Sequence, residues 1–305
     1  MHTHTATPSP TTSRDALSLS FEAIGVPWQV DAEGVFPDLA GHATRELIDR
    51  FDADWSRFRD DSLVAAASRT AGVTRFPSEG AELFALYERL YEATKGAVTP
   101  FVGDTLSSLG YGPAIAGVDP VSSRGTNLTP PSWDAVARIE GSTVETKRPV
   151  TIDVGAAGKG LIVDLVGDVL ADLGATSSVV DASGDLRVHG AAEPVRVALE
   201  HPYDSSMAVG LVELTDGAVC ASAGNRRVWG DNLHHVLDGR TGEPVRTVVA
   251  TWAVADTAML ADGAATALFF LSPAEVYDRF GAHGVRMTSD GIIERTSAFP
   301  GTVFA

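Results

Sequence analysis

The chain has 305 residues, 44% of them apolar, and a formal net charge of −17. That length can bury a large core in one large or two modest domains, and the acidic balance argues against a broad nucleic-acid-binding surface. The single cysteine, Cys220, excludes an intrachain disulfide framework and a multi-cysteine zinc site.

The first 16 residues, MHTHTATPSPTTSRDA, are polar and lack both a secretory apolar core and a cysteine for lipid attachment. No run approaches the roughly 18 apolar residues of a membrane helix. The expectation is a disordered tail over 1–16, one folded unit over 17–305, no membrane span and a cytoplasmic location.

Along the chain, Leu47, Ile48, Phe51, Trp55 and Phe58 predict one amphipathic helix over 44–69. A second helix is predicted over 79–94, followed by a long loop over 112–132 rich in turn formers. VTID, 150–153, reads as a strand that ends at a glycine-rich turn. Residues 158–173 read as a helix stopped by Gly174, with Asp164, Asp168 and Asp172 forming a solvated face. SSVVDASGDLRVHG, PVRVALE, MAVGLVEL, GAVCASA, HHVLD and VRTVVATWAV read as strands separated by turn residues, which predicts antiparallel sheets. The order of elements predicts a mixed α+β fold of mainly antiparallel sheets with helices, arranged as two interlocked lobes in one unit.

Four stretches can carry chemistry. DVGAAGKG, 153–160, stands at a turn into a helix, where backbone N–H groups and Lys159 can receive a phosphate. It is neither a P-loop nor GxGxxG, and a plain tight turn is the other reading. ASGDLRVHG, 182–190, places Gly184 and Asp185 in a turn between strands, where Asp185 can simply cap a bulge. HHVLDGRTGEP, 234–244, offers His235 as an acid–base group or as a structural histidine. TAMLADGAATALFFL, 257–271, reads as a buried helix in which Asp262 and Thr266 share a face. A buried carboxylate needs an ion pair or a metal. Asp plus Thr supplies hard oxygens suited to Mg²⁺, and a salt bridge to a distant Arg is the alternative. There is no GxSxG elbow to support a serine hydrolase.

Taken in order, DVGAAGKGLIVD, DASGDLRVHG, HHVLDGRTGEPV and TAMLADGAATALFFL resemble the ApbE family, the FAD:protein FMN transferases. WSRFRDDS at 55–62 and GAVTPFVGDTLSSLGYG at 96–112 extend the resemblance, which covers about 20–305. It implies Mg²⁺-dependent cleavage of the FAD pyrophosphate. FMN passes to a threonine or serine of an acceptor protein carrying a Ser/Thr-Gly-Ala-Thr-like motif, and AMP is released. Ala156 (through its carbonyl), Asp262 and Thr266 are the implied metal ligands. Asp153, Lys159, Ile24, Leu109, Gly110, Tyr111 and Val236 are the implied FAD contacts, with His235 near the reacting centre.

The chain departs from the family pattern at three places. Ser68 stands where asparagine is frequent and is carried over as an FAD contact. Val98-Thr99-Pro100 replaces an FDP-like triplet, and Asp238-Gly239-Arg240 replaces Asp-Pro-Arg, where Gly239 is expected to loosen a turn. The same residues would serve an Mg²⁺-dependent FAD pyrophosphatase, with water in place of the acceptor hydroxyl, or a flavin-binding protein without turnover.

Overall fold

The computed structural model describes residues 15–111, 129–224, 228–229 and 233–304. It opens with a hairpin that the sequence reading did not anticipate: β1 (Asp15–Ala23) pairs antiparallel with β2 (Val26–Val35). In the two-residue turn between them, Ile24 (φ 51°) and Gly25 (φ 72°) are both left-handed. A type I′ hairpin turn demands two positive φ values, and the β-branched Ile24 meets that demand at a steric cost. Asp15, placed in the tail by the sequence, already belongs to β1.

The helix predicted over 44–69 is two helices. α1 (Pro37–Trp55) starts at a proline, whose fixed φ and missing N–H suit a first helical turn. α2 (Leu63–Arg69) is started afresh by Ser62, whose hydroxyl accepts the Ala65 N–H at 2.9 Å. The chain between them, 56–62, leaves the helix and buries the Arg57 side chain to 6% exposure. Next come β3 (Gly72–Arg75) and α3 (Gly80–Ala93), the latter close to the predicted 79–94. After α4 (Gly103–Ser108), residues 112–128 of the predicted loop lie outside the described residues. α5 (Trp133–Val136), β4 (Ala137–Glu140) and β5 (Thr143–Thr146) follow, and β3, β5 and β4 form a small antiparallel sheet. VTID is not a strand. Its Asp153 N–H donates to the Pro100 carbonyl (2.7 Å) instead of to a ladder.

α6 (Gly158–Asp172) matches its prediction and leads to β6 (Ser177–Asp181), β7 (Asp185–His189), β8 (Val195–His201), β9 (Asp204–Leu214) and β10 (Gly217–Ala223). The short β11 (Val228–Trp229), β12 (Leu233–His234), β13 (Leu237–Asp238) and β14 (Glu243–Pro244) come next, so the predicted strand HHVLD is interrupted at 235–236. β15 (Val248–Ala255) runs into α7 (Ala258–Ala267). α8 (Pro273–Phe280), β16 (His283–Thr288), β17 (Ile293–Arg295) and β18 (Gly301–Val303) complete the chain.

The main sheet has eight strands in the order β1-β2-β6-β7-β10-β15-β16-β17, and every neighbouring pair is antiparallel. Alternation along a strand assigns its two faces. Ala218 and Cys220 of β10 and Ala253 of β15 join a core with α1, α3, α6 and α7. Val219, Trp252 and Val254 point the other way, into a core with Leu199 of β8 and Val209 and Val212 of β9. The small sheet β18-β9-β8 covers that second face. The helix side is lined by small residues, which lets α7 lie close against the sheet and α6. A Cβ on Gly160 would fall 2.2 Å from the Ala258 carbonyl oxygen.

One predicted surface residue is in the core. Asp164, assigned by spacing to a solvated face, is 7% exposed. Its two oxygens accept the Ala258 and Met259 N–H groups at 2.9 and 2.8 Å, so α6 supplies an acceptor for the free N–H groups of α7. Arg187 of β7 lies 3.4 Å from the same carboxylate. Burial raises its pKa to about 6 despite these donors. Among the described residues no helix is long and apolar enough to cross a membrane.

Candidate functional site

The glycine-rich turn before α6 is held from two sides. The Tyr87 hydroxyl of α3 accepts the Ala156 N–H (3.1 Å) and donates to the Asp153 carbonyl (3.4 Å), spanning the turn from inside. Burial, with the Asp153 charge beside it, lifts the Tyr87 pKa well above its usual range, so the phenol keeps the proton it donates. From the other side Arg57 places Nε 2.7 Å from the Asp153 carboxylate. Asp153 also accepts the Gly155 N–H at 2.8 Å. A Cβ on Gly155 would sit 2.8 Å from that same carboxylate oxygen, so glycine is what permits the closure.

Arg57 reaches further. Its terminal nitrogens donate to the Tyr111 carbonyl (3.1 Å) and the Ser107 hydroxyl (3.2 Å). The guanidinium lies 4.3 Å from the Phe58 ring centre and 4.9 Å from that of Tyr111, and the two rings meet edge to face. One planar cation with several donors therefore ties 109–111 to the glycine-rich turn, a task that a lysine's point charge does not perform.

At the start of α6, Lys159 is ion-paired with Asp185, the first residue of β7. Asp185 is fully buried, so it is more than the cap of a bulge. The turn before it still has the predicted special geometry, with Ser183 and Gly184 both at positive φ. One residue after Lys159, the Gly160 N–H donates to Asp262 on α7 at 3.0 Å. Asp262 is 4% exposed. Thr266, one turn later on the same helix face, has its hydroxyl 3.5 Å from the Ala156 carbonyl. Two Asp–Arg pairs stand nearby, Asp153 with Arg57 and Asp164 with Arg187.

The hydroxyl of Thr266 meets the carbonyl of Ala156, and the carboxylate of Asp262 stands one turn before Thr266 on α7. Hard oxygens of this kind suit Mg²⁺ better than a soft or nitrogen-seeking metal. Among the described residues there is no group of three or more His, Cys, Asp or Glu side chains that could hold a metal. A set with one carboxylate and two neutral oxygens is of a different type.

The segment 234–242 lies alongside. Of the two adjacent histidines only His234 belongs to a strand. His234 bonds the Val245 carbonyl through Nε2 (2.7 Å), and burial lowers its pKa, keeping it neutral. His235 is half-buried at the interruption between β12 and β13. Val236 packs with Val248 and Phe269, whereas Leu237 packs with Leu106 and Tyr111. Gly239 does not loosen its turn. Its N–H donates to the Ala97 carbonyl (2.8 Å), and a Cβ there would lie 2.6 Å from both the Gly96 carbonyl oxygen and Thr99 Cγ2. The turn at 238–242 is thus docked on residues 96–99.

Contacts join Asp153, Ala156 and Thr266 through one network, Gly160 and Asp262 through a neighbouring one, and Tyr111 through Arg57. Gly110, in a left-handed conformation at φ 88°, and Leu109 end α4 beside Tyr111. Two expected residues have their partners elsewhere. The Ser68 hydroxyl donates to Ala65 within α2 (2.8 Å), and Ile24 sits in the β1–β2 turn against the helix-side core. Arg57 and Tyr87 went unassigned in the sequence, and Asp185 was read only as a turn residue. Arg57 lies between the stripe positions Trp55 and Phe58 and so carried no signal of its own; Tyr87 carried none beyond its helix.

The comparisons with known proteins agree with one another. A profile of the ApbE family matches residues 24–287. A FAD:protein FMN transferase of Rhodobacter capsulatus is 30% identical over 301 residues, 92% of this chain and 57% of that protein, so the chain spans a little over half the relative's length. One from Vibrio cholerae is 28% identical over 237 residues, 74% of this chain and 71% of that protein. The crystal structure of the ApbE protein from Thermotoga maritima shares the fold with a TM-score of 0.79 at 23% identity, over 93% of this chain and 97% of that one. The flavin transferase ApbE from V. cholerae gives 0.78 at 23%, over 94% and 98%. With the profile covering most of its length, the chain belongs to the ApbE family.

Proposed function

We propose that this protein transfers FMN from FAD to a threonine or serine hydroxyl of an acceptor protein, releasing AMP, with Mg²⁺ as its metal. The observation that supports the reading is the contact of the Thr266 hydroxyl with the Ala156 carbonyl at a glycine-rich turn that opens a helix, with Asp262, one turn before Thr266, bonded to Gly160 next to Lys159. The names of the family relatives supply the reaction class.

Ala156, Asp262 and Thr266 would hold Mg²⁺, which when bound draws charge from the phosphoryl oxygens. The chain's own groups do the rest. Lys159 neutralises charge on the pyrophosphate, and the positive end of the α6 dipole adds to it. Arg57 and Tyr87 keep the turn in shape, so these donors need no rearrangement when the substrate arrives. Ile24, Ser68, Leu109, Gly110, Tyr111, Asp153 and Val236 are proposed to contact FAD. The acceptor oxygen attacks the phosphorus on the riboflavin side, the bond to the bridging oxygen breaks, and AMP leaves with that oxygen. His235 takes the acceptor's proton in this scheme.

The test is incubation with FAD and an acceptor domain carrying a Ser/Thr-Gly-Ala-Thr-like motif, with Mg²⁺ or with EDTA. Covalent flavin fluorescence on the denatured acceptor, dependent on Mg²⁺, supports the reading. AMP and free FMN with an unlabelled acceptor would replace it with an FAD pyrophosphatase.

A further inference from the structure

Asp185 carries a feature that fold stability does not explain. It is fully buried, one carboxylate oxygen is paired with Lys159, and its other oxygen, Oδ1, has no hydrogen-bond partner among the described residues. Most buried polar atoms in folded proteins are partnered, so an orphaned carboxylate oxygen calls for a reason. The carboxylate is also an anion beside the lysine expected to receive an anion. A like charge there weakens ground-state binding of a pyrophosphate.

We infer that Asp185 is a positioning residue for Lys159: it holds the ammonium in place from beneath, and it does so at the expense of substrate affinity. This rests on the flavin transferase reading for the identity of the anion. The local structure is built for the task. Ser183 and Gly184, at φ 59° and 103°, turn the chain so that Asp185 enters β7 pointing at α6. The Ala182 N–H closes that turn on the Asp185 carbonyl (2.9 Å), and the Ala221 N–H locks Gly184 from β10 (2.8 Å). Asp185 faces Cys220 across the strands, and Cys220 Sγ lies 3.4 Å from the Ala258 carbonyl of α7. The carboxylate therefore stands on the rigid sheet, while the lysine extends from the helix that opens the site. Substrate binding would draw the ammonium toward phosphate against a fixed anchor, keeping it aimed at the reacting group.

The inference predicts a pattern that simple damage does not produce. Asp185→Asn has nearly the same shape, keeps an oxygen for Lys159 and removes the negative charge. The expected result is a fall in the KM for FAD of about fivefold together with a fall in kcat of about tenfold. Such a joint fall marks lost ground-state opposition rather than lost binding. Inorganic pyrophosphate, titrated calorimetrically in EDTA, should bind Asp185→Asn about fivefold more tightly than wild type, by removal of the like charge. Lys159→Gln/Asp185→Asn should lose that gain. Unchanged constants, or a raised KM with weaker pyrophosphate binding, would overturn the assignment. If Asp185→Asn does not fold, Asp185→Glu carries the test: with charge retained but displaced, KM should stay near wild type and kcat should fall, and an unchanged kcat would overturn it. The pyrophosphate titration needs no turnover. It therefore judges Asp185 even if an inert wild-type enzyme sinks the transferase reading.

Discussion

The Asp262 carboxylate on α7 accepts the Gly160 N–H of α6 at 3.0 Å, so one side chain joins the helix that opens the glycine-rich turn to the helix that carries Thr266. Two roles meet in it: a structural acceptor for a backbone donor, and the one carboxylate of the proposed metal set.

Those roles separate on substitution. Asp262→Asn keeps an oxygen for Gly160 but loses the charge, so its thermal stability should stay within a few degrees of wild type while Mg²⁺-dependent AMP release falls about 100-fold or more. Thr266→Val, similar in shape, should raise the Mg²⁺ concentration for half-maximal activity about tenfold. Full activity at unaltered Mg²⁺ demand in both variants would remove these residues from the metal set.

Arg57 should matter to both fold and substrate. Arg57→Ala leaves the Asp153 carboxylate, 15% exposed, without its cation and frees the Tyr111 carbonyl. Breaking a largely buried pair in this way costs on the order of 3 kcal/mol, which denaturant unfolding measures. Arg57→Lys should recover part of that stability yet still raise the KM for FAD, because a point charge cannot hold Asp153, Ser107 and Tyr111 together. A lysine variant with wild-type KM would show that the fork geometry is dispensable.

Asp164 predicts a pH dependence of stability. Its pKa rises from 3.8 unfolded to about 6 folded, because burial disfavours the charged form. The folded state therefore binds a proton that the unfolded state has released between about pH 4 and 6. This contribution is fully present below about pH 4 and is lost as pH rises through about 6. The displacement is worth roughly 3 kcal/mol at most. Unfolding free energies of wild type and Asp164→Asn, compared from pH 4 to 7.5, should diverge with that sign. Parallel curves would contradict it.

The structure gives Gly239 a positive reason to be glycine. Gly239→Pro removes the N–H bonded to Ala97 and pushes ring atoms toward Gly96 and Thr99. A destabilisation of about 2–4 kcal/mol is expected, combining a lost hydrogen bond with overpacking. Gly239→Ala keeps the hydrogen bond and should cost less. Denaturant midpoints that do not move would show that residues 96–99 yield easily.

Most of the strand runs, VTID and HHVLD apart, and three helices were legible because periodicity reports which face of an element is buried. Asp262 and Thr266 were legible for the same reason, as polar residues inside an apolar helix. What stayed hidden depends on partners distant in sequence. The Asp164, Asp168 and Asp172 spacing looks like one face, but the N-terminus of α7 packs on the first two turns of α6, and of the three only Asp164 is buried. The break at 56–62 interrupts a perfect helical stripe, and within it Arg57 reaches Asp153 and Tyr111, partners far away in sequence. Asp185 read as a turn residue because its counter-charge, Lys159, comes from another element. The β1–β2 hairpin turns on Ile24, a residue type that rarely takes positive φ and so announces no turn.

The most direct measurement follows both products at once: AMP released, and flavin bound covalently to an acceptor domain after denaturation, with FAD and Mg²⁺ supplied. The account predicts equal amounts of the two, both abolished by EDTA and by Asp262→Ala. AMP formed with free FMN and no labelled acceptor, or labelling that persists in EDTA, would contradict it.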